Sequence, residues 1–522
     1  MEIIILFLFD KGRKKMKKFL YLLLFTITFF SCKAENNSVS LTDSTRYPVF
    51  AGQFYSADSI ILRKQIEIFL ENAKTRTADS IIAIIVPHAG YIYSGQIAAD
   101  AFNQVKNEKY DLIVILGTNH TTPYFYGIST YPNGSFSTPI GSLKIDNKTA
   151  EELLKKDNNV TINLTVHAKE HSIEVQLPFI KYLFPDAKIL PVIIGSSDIN
   201  LCNRFGKALA EILRNKKTLI VISSDLSHYP NFDDAIKVDN VTLKSITELN
   251  PEKIKNVLNK QLESRIAQLA TCACGEAPII AGICTANELG AKSARIISYC
   301  NSGYNPVGST DRVVGYGAVV ISKKIYNEPA DVDTLIVDNS YQLTTSDKKF
   351  LLRFARRTLE QYFMTQTVPI PRDMNQKLKI KRGAFVTLKK HGELRGCIGH
   401  MLEDTPLCTL IGAMALQSAF NDKRFSPLTK NELGQIEIEI SVLTPYKKIN
   451  NANEIVLGRD GVIVKKGNHQ AVFLPQVATE TGWSKEVFLD QLCFKAGLKA
   501  NDWKNAELYT FQAEVFSEKD FN

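Results

Sequence analysis

Five short runs of apolar, largely β-branched residues constrain the first half of this 522-residue chain more than any other feature. They are Ile81–Val86, Leu112–Leu116, Ile189–Ile194, Leu219–Ser223 and Val313–Ile321. Each is too short for a typical helix and too uniformly apolar for a strand with one wet face. Strands covered on both sides have this composition. Segments with helical spacing, including Ile60–Asn72, Ser172–Phe184 and Arg204–Arg214, lie between several of the runs, and Pro278–Leu289 reads as a further helix rich in small residues. The alternation predicts an α/β unit with a mainly parallel sheet flanked by helices.

The pattern breaks over residues 326–341, where Glu328-Pro329-Ala330-Asp331 is polar and turn-prone. A new amphipathic helix is expected behind a cap at Ser346-Asp347. Strands at Gly383–Leu388, Ile436–Val442, Val462–Lys465 and Gln470–Leu474 then mix with helices at Leu407–Phe420 and Lys485–Ala496. Ile436-Glu437-Ile438-Glu439-Ile440 alternates strictly, as in an antiparallel sheet with one solvated face. The expected organisation is an α/β domain over 45–325, a linker over 326–341 and a smaller α+β domain over 342–522.

At the N-terminus, Met16-Lys17-Lys18 precedes an apolar run from Phe19 to Phe30 that is too short for a comfortable membrane span. The run closes on Ser31-Cys32, which resembles the lipobox of bacterial lipoproteins. That resemblance implies a signal over 1–33, a lipid on Cys32, a tether over 34–44 and attachment to the membrane of the cell envelope. The other eight cysteines do not space as a disulfide framework. The net charge of +9 owes much to the cluster Lys11, Arg13, Lys14, Lys15, Lys17 and Lys18. No basic stripe interleaved with aromatics follows, so a nucleic-acid partner is not expected.

Four chemistry-bearing residues share one placement. His88 follows the first run, His120 the second, and Asp225 and His228 the fourth. Ligands of open α/β sheets bind outside the carboxyl ends of the strands. Two imidazoles from separate loops invite a metal but do not complete a site. Thr271-Cys272-Ala273-Cys274-Gly275-Glu276 enters a helix, and Cys274 is the first choice for a third ligand, with Cys272 and Glu276 as rivals. Asp225 and His228 suit an acid/base pair. Of His167, Glu170, His171 and Glu174, His171 is expected near the site, and the others read as a solvated helix face.

Several motifs carry a resemblance. Tyr47-Pro48-Val49-Phe50-Ala51-Gly52-Gln53-Phe54-Tyr55, His88-Ala89-Gly90-Tyr91, Glu170-His171-Ser172-Ile173-Glu174, Ser223-Ser224-Asp225, Cys274-Gly275 and Asp311-Arg312-Val313-Val314-Gly315-Tyr316-Gly317 together resemble the Memo family over about residues 45–325. The resemblance implies a fold like that of class III extradiol dioxygenases. It implies metal ligands at His88, His120 and Cys274, with Asp225 and His228 beside them. Iron or copper is the implied metal, and zinc is compatible with the thiolate. Leu394-Arg395-Gly396-Cys397-Ile398-Gly399, Asn421-Asp422-Lys423-Arg424-Phe425 and Glu437-Ile438-Glu439-Ile440-Ser441 resemble the AMMECR family over about 342–520. There Arg395 could hold an anion and Cys397 act as a thiol, or the hexapeptide could be purely structural. Both families occur with a radical-SAM protein in the set called AmmeMemoRadiSam, which implies such a partner by association only. The expected function is a redox-metal oxidoreductase of unknown substrate. The alternative is a non-catalytic metal-binding module that takes a peptide or protein partner.

Overall fold

A computed structural model describes residues 44–325, 342–372 and 374–521. Cys32 and the 326–341 linker lie outside the described residues. Among the described residues, no helix is long and apolar enough to cross a membrane.

The first half is built on an eight-stranded sheet. Its strands are β1 (Ile81–Val86), β2 (Leu112–Thr118), β3 (Ile128–Thr130), β4 (Val160–Thr161), β5 (Lys188–Ile194), β6 (Thr218–Ser223), β7 (Ser293–Asn301) and β8 (Gly315–Ser322), in the order β7-β8-β1-β6-β2-β5-β3-β4. The central strands β1, β6, β2 and β5 run parallel. The fifth apolar run became β8, which pairs antiparallel with β1, as does the edge strand β7 with β8. Two apolar clusters cover the faces. Phe69, Tyr91, Phe102 and Phe179 lie in one cluster, and Phe205, Leu209, Ile280 and Ile283 in the other. Burial on both faces explains the unbroken apolar sequence of the strands.

Helix α1 (Ser59–Glu71) starts on Asp58, whose carboxylate accepts from the amides of Ile60 and Ile61. Helix α2 (Tyr91–Asn103) follows β1, and α3 (Glu276–Glu288) carries the small residues expected of a tightly packed helix. The expected helix over Ser172–Phe184 is broken into His171–Glu174 and Leu177–Leu183.

In the second half, α4 (Thr345–Thr365) is capped by Thr344, with Asp347 closing a capping box, rather than by Ser346-Asp347. One four-stranded antiparallel sheet holds Ala384–Lys390, Glu393–His400, Ile436–Leu443 and Ala513–Ser517. Helix α5 (Leu407–Phe420) packs on it, and a second four-stranded sheet includes Gly461–Lys466 and His469–Phe473. The hexapeptide Leu394–Gly399 is therefore strand, not turn. The two halves touch extensively: Gln65 donates to the Thr365 carbonyl at 2.8 Å, and Thr409 to that of Tyr304 at 3.3 Å.

Candidate metal centre

The order β1-β6-β2 sets three strand exits side by side. Their loops bring His88, His120, Asp225 and His228 to one sheet edge. The ligating atoms of His88, His120 and His171 all lie within 4.8 Å of one another, and so do those of His88, Asp225 and Cys274. His88 is common to both groups. The triad His88, His120 and Cys274 therefore falls across two overlapping sets, with His171 and Asp225 as further donors.

His88 is buried, and its Nδ1 is 2.9 Å from the hydroxyl of Ser223. That hydroxyl donates its only proton to the Ser172 carbonyl at 2.6 Å, and it accepts from the Gln176 amide at 3.0 Å. Its remaining lone pair can only receive a proton from Nδ1. The Nε2 of His88 thus presents a lone pair, and it lies 3.0 Å from the Cys274 sulfur. His120 is arranged in the same way. Its Nδ1 donates to Glu170 Oε1 at 2.8 Å, and its backbone amide donates to Glu170 Oε2 at 2.8 Å. Burial raises the Glu170 carboxyl, but hydrogen bonds from His120 and Ser172 outweigh it and keep the group below its ordinary range. An ionised carboxylate behind an imidazole is the usual support of a metal-ligating histidine.

Cys274 reaches this cluster because Gly275 lacks a side chain. A Cβ at Gly275 would meet Ser224 Cβ at 2.5 Å and the Ser223 carbonyl oxygen at 2.6 Å. The Gly275 amide donates to Ser224 Oγ at 2.9 Å, and the Asp225 amide donates to the Cys274 sulfur at 3.3 Å. Burial, and next the Asp225 carboxylate, push the thiol well above its ordinary value. A bound cation offsets such a penalty. The His88 lone pair beside a sulfur that needs a cation, with His120 in the overlapping donor set, fits a thiophilic metal ion.

Asp225 does not form a hydrogen-bonded pair with His228. Its Oδ1 accepts from the amides of His88 at 2.7 Å and Ala89 at 3.3 Å, so it shapes the His88 loop. Burial raises its carboxyl to about 7. His228 has a buried Nε2 with no hydrogen-bond partner. Burial, then His120 and His171, lower the His228 ring to about 4. His171 stacks on His120 with centroids 4.4 Å apart, and Phe50 and Phe54 pack against it.

The expected solvated face is buried. His167, Glu170 and Glu174 are each at most 1% exposed. Because the segment is two short helices around an extended Glu170, spacing by four residues does not mark one wet side. Glu174 anchors the N-terminal segment, accepting from Arg46, the amides of Val49 and Phe50, and the Tyr55 hydroxyl. Glu170 and Ser223 thus act on the site, although Glu170 is expected from sequence on a solvated helix face and Ser223 stands there only inside a motif block. The only signal was their presence in the motif blocks that contain His171 and Asp225. Cys272 is buried near Leu258, and Glu276 begins α3.

In the second half, the Arg395 guanidinium donates to both oxygens of Glu432 and to the carbonyls of Ser426 and Pro427, so the anion-binding alternative finds no support. A Cβ at Gly396 would collide with the Ser418 carbonyl of α5, and one at Gly399 with the Phe385 ring. Cys397 accepts from the Thr387 hydroxyl at 3.2 Å. The structural alternative therefore accounts for most of the hexapeptide.

A family model described as Memo-like protein matches residues 46–320, and the AMMECR1 model matches residues 352–516. A MEMO1 family protein of Nitrosopumilus maritimus is 32% identical over 284 residues, covering 52% of this chain and 98% of its own length. One from Aquifex aeolicus is 35% identical over 272 residues, covering 52% and 97%. An uncharacterized protein of known structure from Pyrococcus horikoshii is 38% identical, with a TM-score of 0.31, and the match covers 34% of this chain and 94% of that one.

Proposed function

The chain belongs to the Memo-like family, and on that premise we propose that its first half is a metal-dependent oxidoreductase centre using iron or copper. One observation carries the reading: the groups behind His88 and His120 engage both Nδ1 atoms and leave both Nε2 atoms unprotonated, the two histidines belong to one close donor set, and the Cys274 sulfur lies beside His88. His88, His120 and Cys274 would hold the metal, with His171 and Asp225 within reach. A redox metal supplies Lewis acidity and a change of oxidation state.

The protein supplies the rest. Ser223 and Glu170 fix the tautomers of the two ligating rings. The Asp225 amide, donating to sulfur, favours the thiolate. His228, neutral at pH 7, has a free ring nitrogen in a buried position and can take up or release a proton there. A thiolate in place of the one carboxylate distinguishes this donor set from a ring-cleaving iron site, which uses two histidines and a carboxylate. The substrate would be a small molecule or a peptide reaching the strand exits. Cys32 would carry lipid and hold the domain at the cell envelope, which intact-mass analysis of membrane-extracted protein tests.

The deciding experiment is metal analysis of anaerobically purified full-length protein beside His88→Ala. The expected result is about one iron or copper ion per chain in the wild type and little in the variant. Absence of both from the wild type would overturn the proposal.

A further inference from the structure

We propose that the cleft between the two halves binds a small organic anion, a carboxylate or phosphate ester carrying an aromatic or apolar body. The cleft is a cavity of about 430 Å³, of a size that suits a small ligand. Phe350, Phe354, Pro369 and Ile370 give it apolar walls, and Arg353, Arg357 and Arg372 supply the charge.

The state of these three cations decides what the cavity takes. Arg372 is neutralised by Asp100 in a bidentate pair. Arg353 and Arg357 form no ion pair among the described residues. Arg357 donates only to the side-chain amide oxygen of Asn72, and Arg372 donates to the carbonyl of that same residue at 3.4 Å. The end of α1 thereby gathers two guanidinium groups around one uncharged residue. Burial and then the Arg372 cation press on Arg357, and Glu360 acts on it as the acidic neighbour. An adjoining groove shares Arg353 and Arg357 but balances its other charges internally. There Arg356 pairs with Glu518 at 2.5 Å, and Lys519 with Glu437 at 2.5 Å. Arg353 and Arg357, the cations without an ion pair, therefore lie where the interdomain cavity meets this groove, and both line the cavity.

Planar guanidinium groups bind carboxylate and phosphate oxygens in pairs, and the aromatic wall adds contact area for an apolar body. Both halves line the cavity, so a bound anion would also tie them together. The site is separate from the metal centre, and the proposal does not depend on the oxidoreductase reading.

The test is calorimetric titration of the full-length protein with phenyl phosphate, benzoate, inorganic phosphate and phenol. Phenyl phosphate or benzoate should bind at one site per chain, and which is tighter identifies the preferred headgroup. Inorganic phosphate should bind more weakly than phenyl phosphate, and phenol not measurably. The double variant Arg353→Gln/Arg357→Gln should weaken binding by about tenfold or more, while Arg353→Lys/Arg357→Lys retains part of it. Both positions lack ion pairs, and an unchanged thermal transition would show that the fold persists. His88→Ala should bind as the wild type does. Equal affinity in the wild type and the glutamine variant, binding lost in His88→Ala, or no binding of either organic anion would overturn the proposal.

Discussion

Arg372 of the second half grips Asp100 of the first through two parallel bonds, of 2.9 and 2.6 Å, with the aspartate fully buried in α2. Asp100 also accepts from the Ser298 hydroxyl and the Lys74 amide. The carboxylate is thus embedded in the first half but receives its countercharge from the second. Arg372→Ala would leave a buried charge without a cation and should cost about 3 kcal/mol or more, read by urea unfolding. Adding Asp100→Asn should recover much of that loss. Equal stability of Arg372→Ala and wild type would show that the two halves do not rely on this contact.

Ser223→Ala removes the acceptor behind His88 Nδ1 and frees the ring to change tautomer. Metal affinity, measured by chelator competition, should fall about 10–100-fold. Glu170→Gln should have a comparable effect through His120. Unaltered affinity in both variants would mean that neither ring is a ligand.

Glu174 accepts hydrogen bonds from four donors of the 46–55 segment. Glu174→Ala should destabilise the protein by about 3 kcal/mol, because Arg46 is left buried without its partner. Hydrogen exchange at Val49 and Phe50 should accelerate. Protection unchanged at those amides would count against an anchoring role.

Gly396→Ala must displace α5 from its strand, since the new Cβ collides with the Ser418 carbonyl. A loss of about 1–3 kcal/mol is expected in thermal unfolding. Cys397→Ser should be far milder. The reverse ranking would make the cysteine, rather than the close packing, the reason for the hexapeptide.

Asp239 is buried, and burial raises its carboxyl to about 6, although the Ser227 amide and Tyr299 hydroxyl donate to it. The folded state therefore holds a proton that the unfolded chain gives up near its ordinary value of 3.8. The associated stability is complete below that value and is lost as pH rises through about 6. Asp239→Asn should flatten stability against pH in this window, measured by urea titration at several pH values. An identical slope in both proteins would place the titration elsewhere.

The strand exits were legible because a strand buried on both faces writes its length directly into sequence as an apolar run. Direction was less legible: Val313–Ile321 has the same composition as its parallel neighbours, yet β8 runs against β1. The burial of Glu170 and Glu174 was not legible, because periodicity assumes a continuous helix and the chain breaks on both sides of His171–Glu174. Asp100 and Arg372 stand 272 residues apart. Nothing local distinguishes either from a surface charge. The Ser223 relation is equally invisible in sequence, since it depends on which neighbour receives one proton.

That single hydroxyl proton has a consequence for how the centre responds to its surroundings. The link from His88 through Ser223 to the Ser172 carbonyl contains no net charge, so counterions have little to screen along it. The link from His120 ends in the Glu170 carboxylate. The two imidazoles are thus held by supports of different kinds, one dipolar and one ionic. The donor set therefore carries a built-in left–right difference in the groups that orient its two rings.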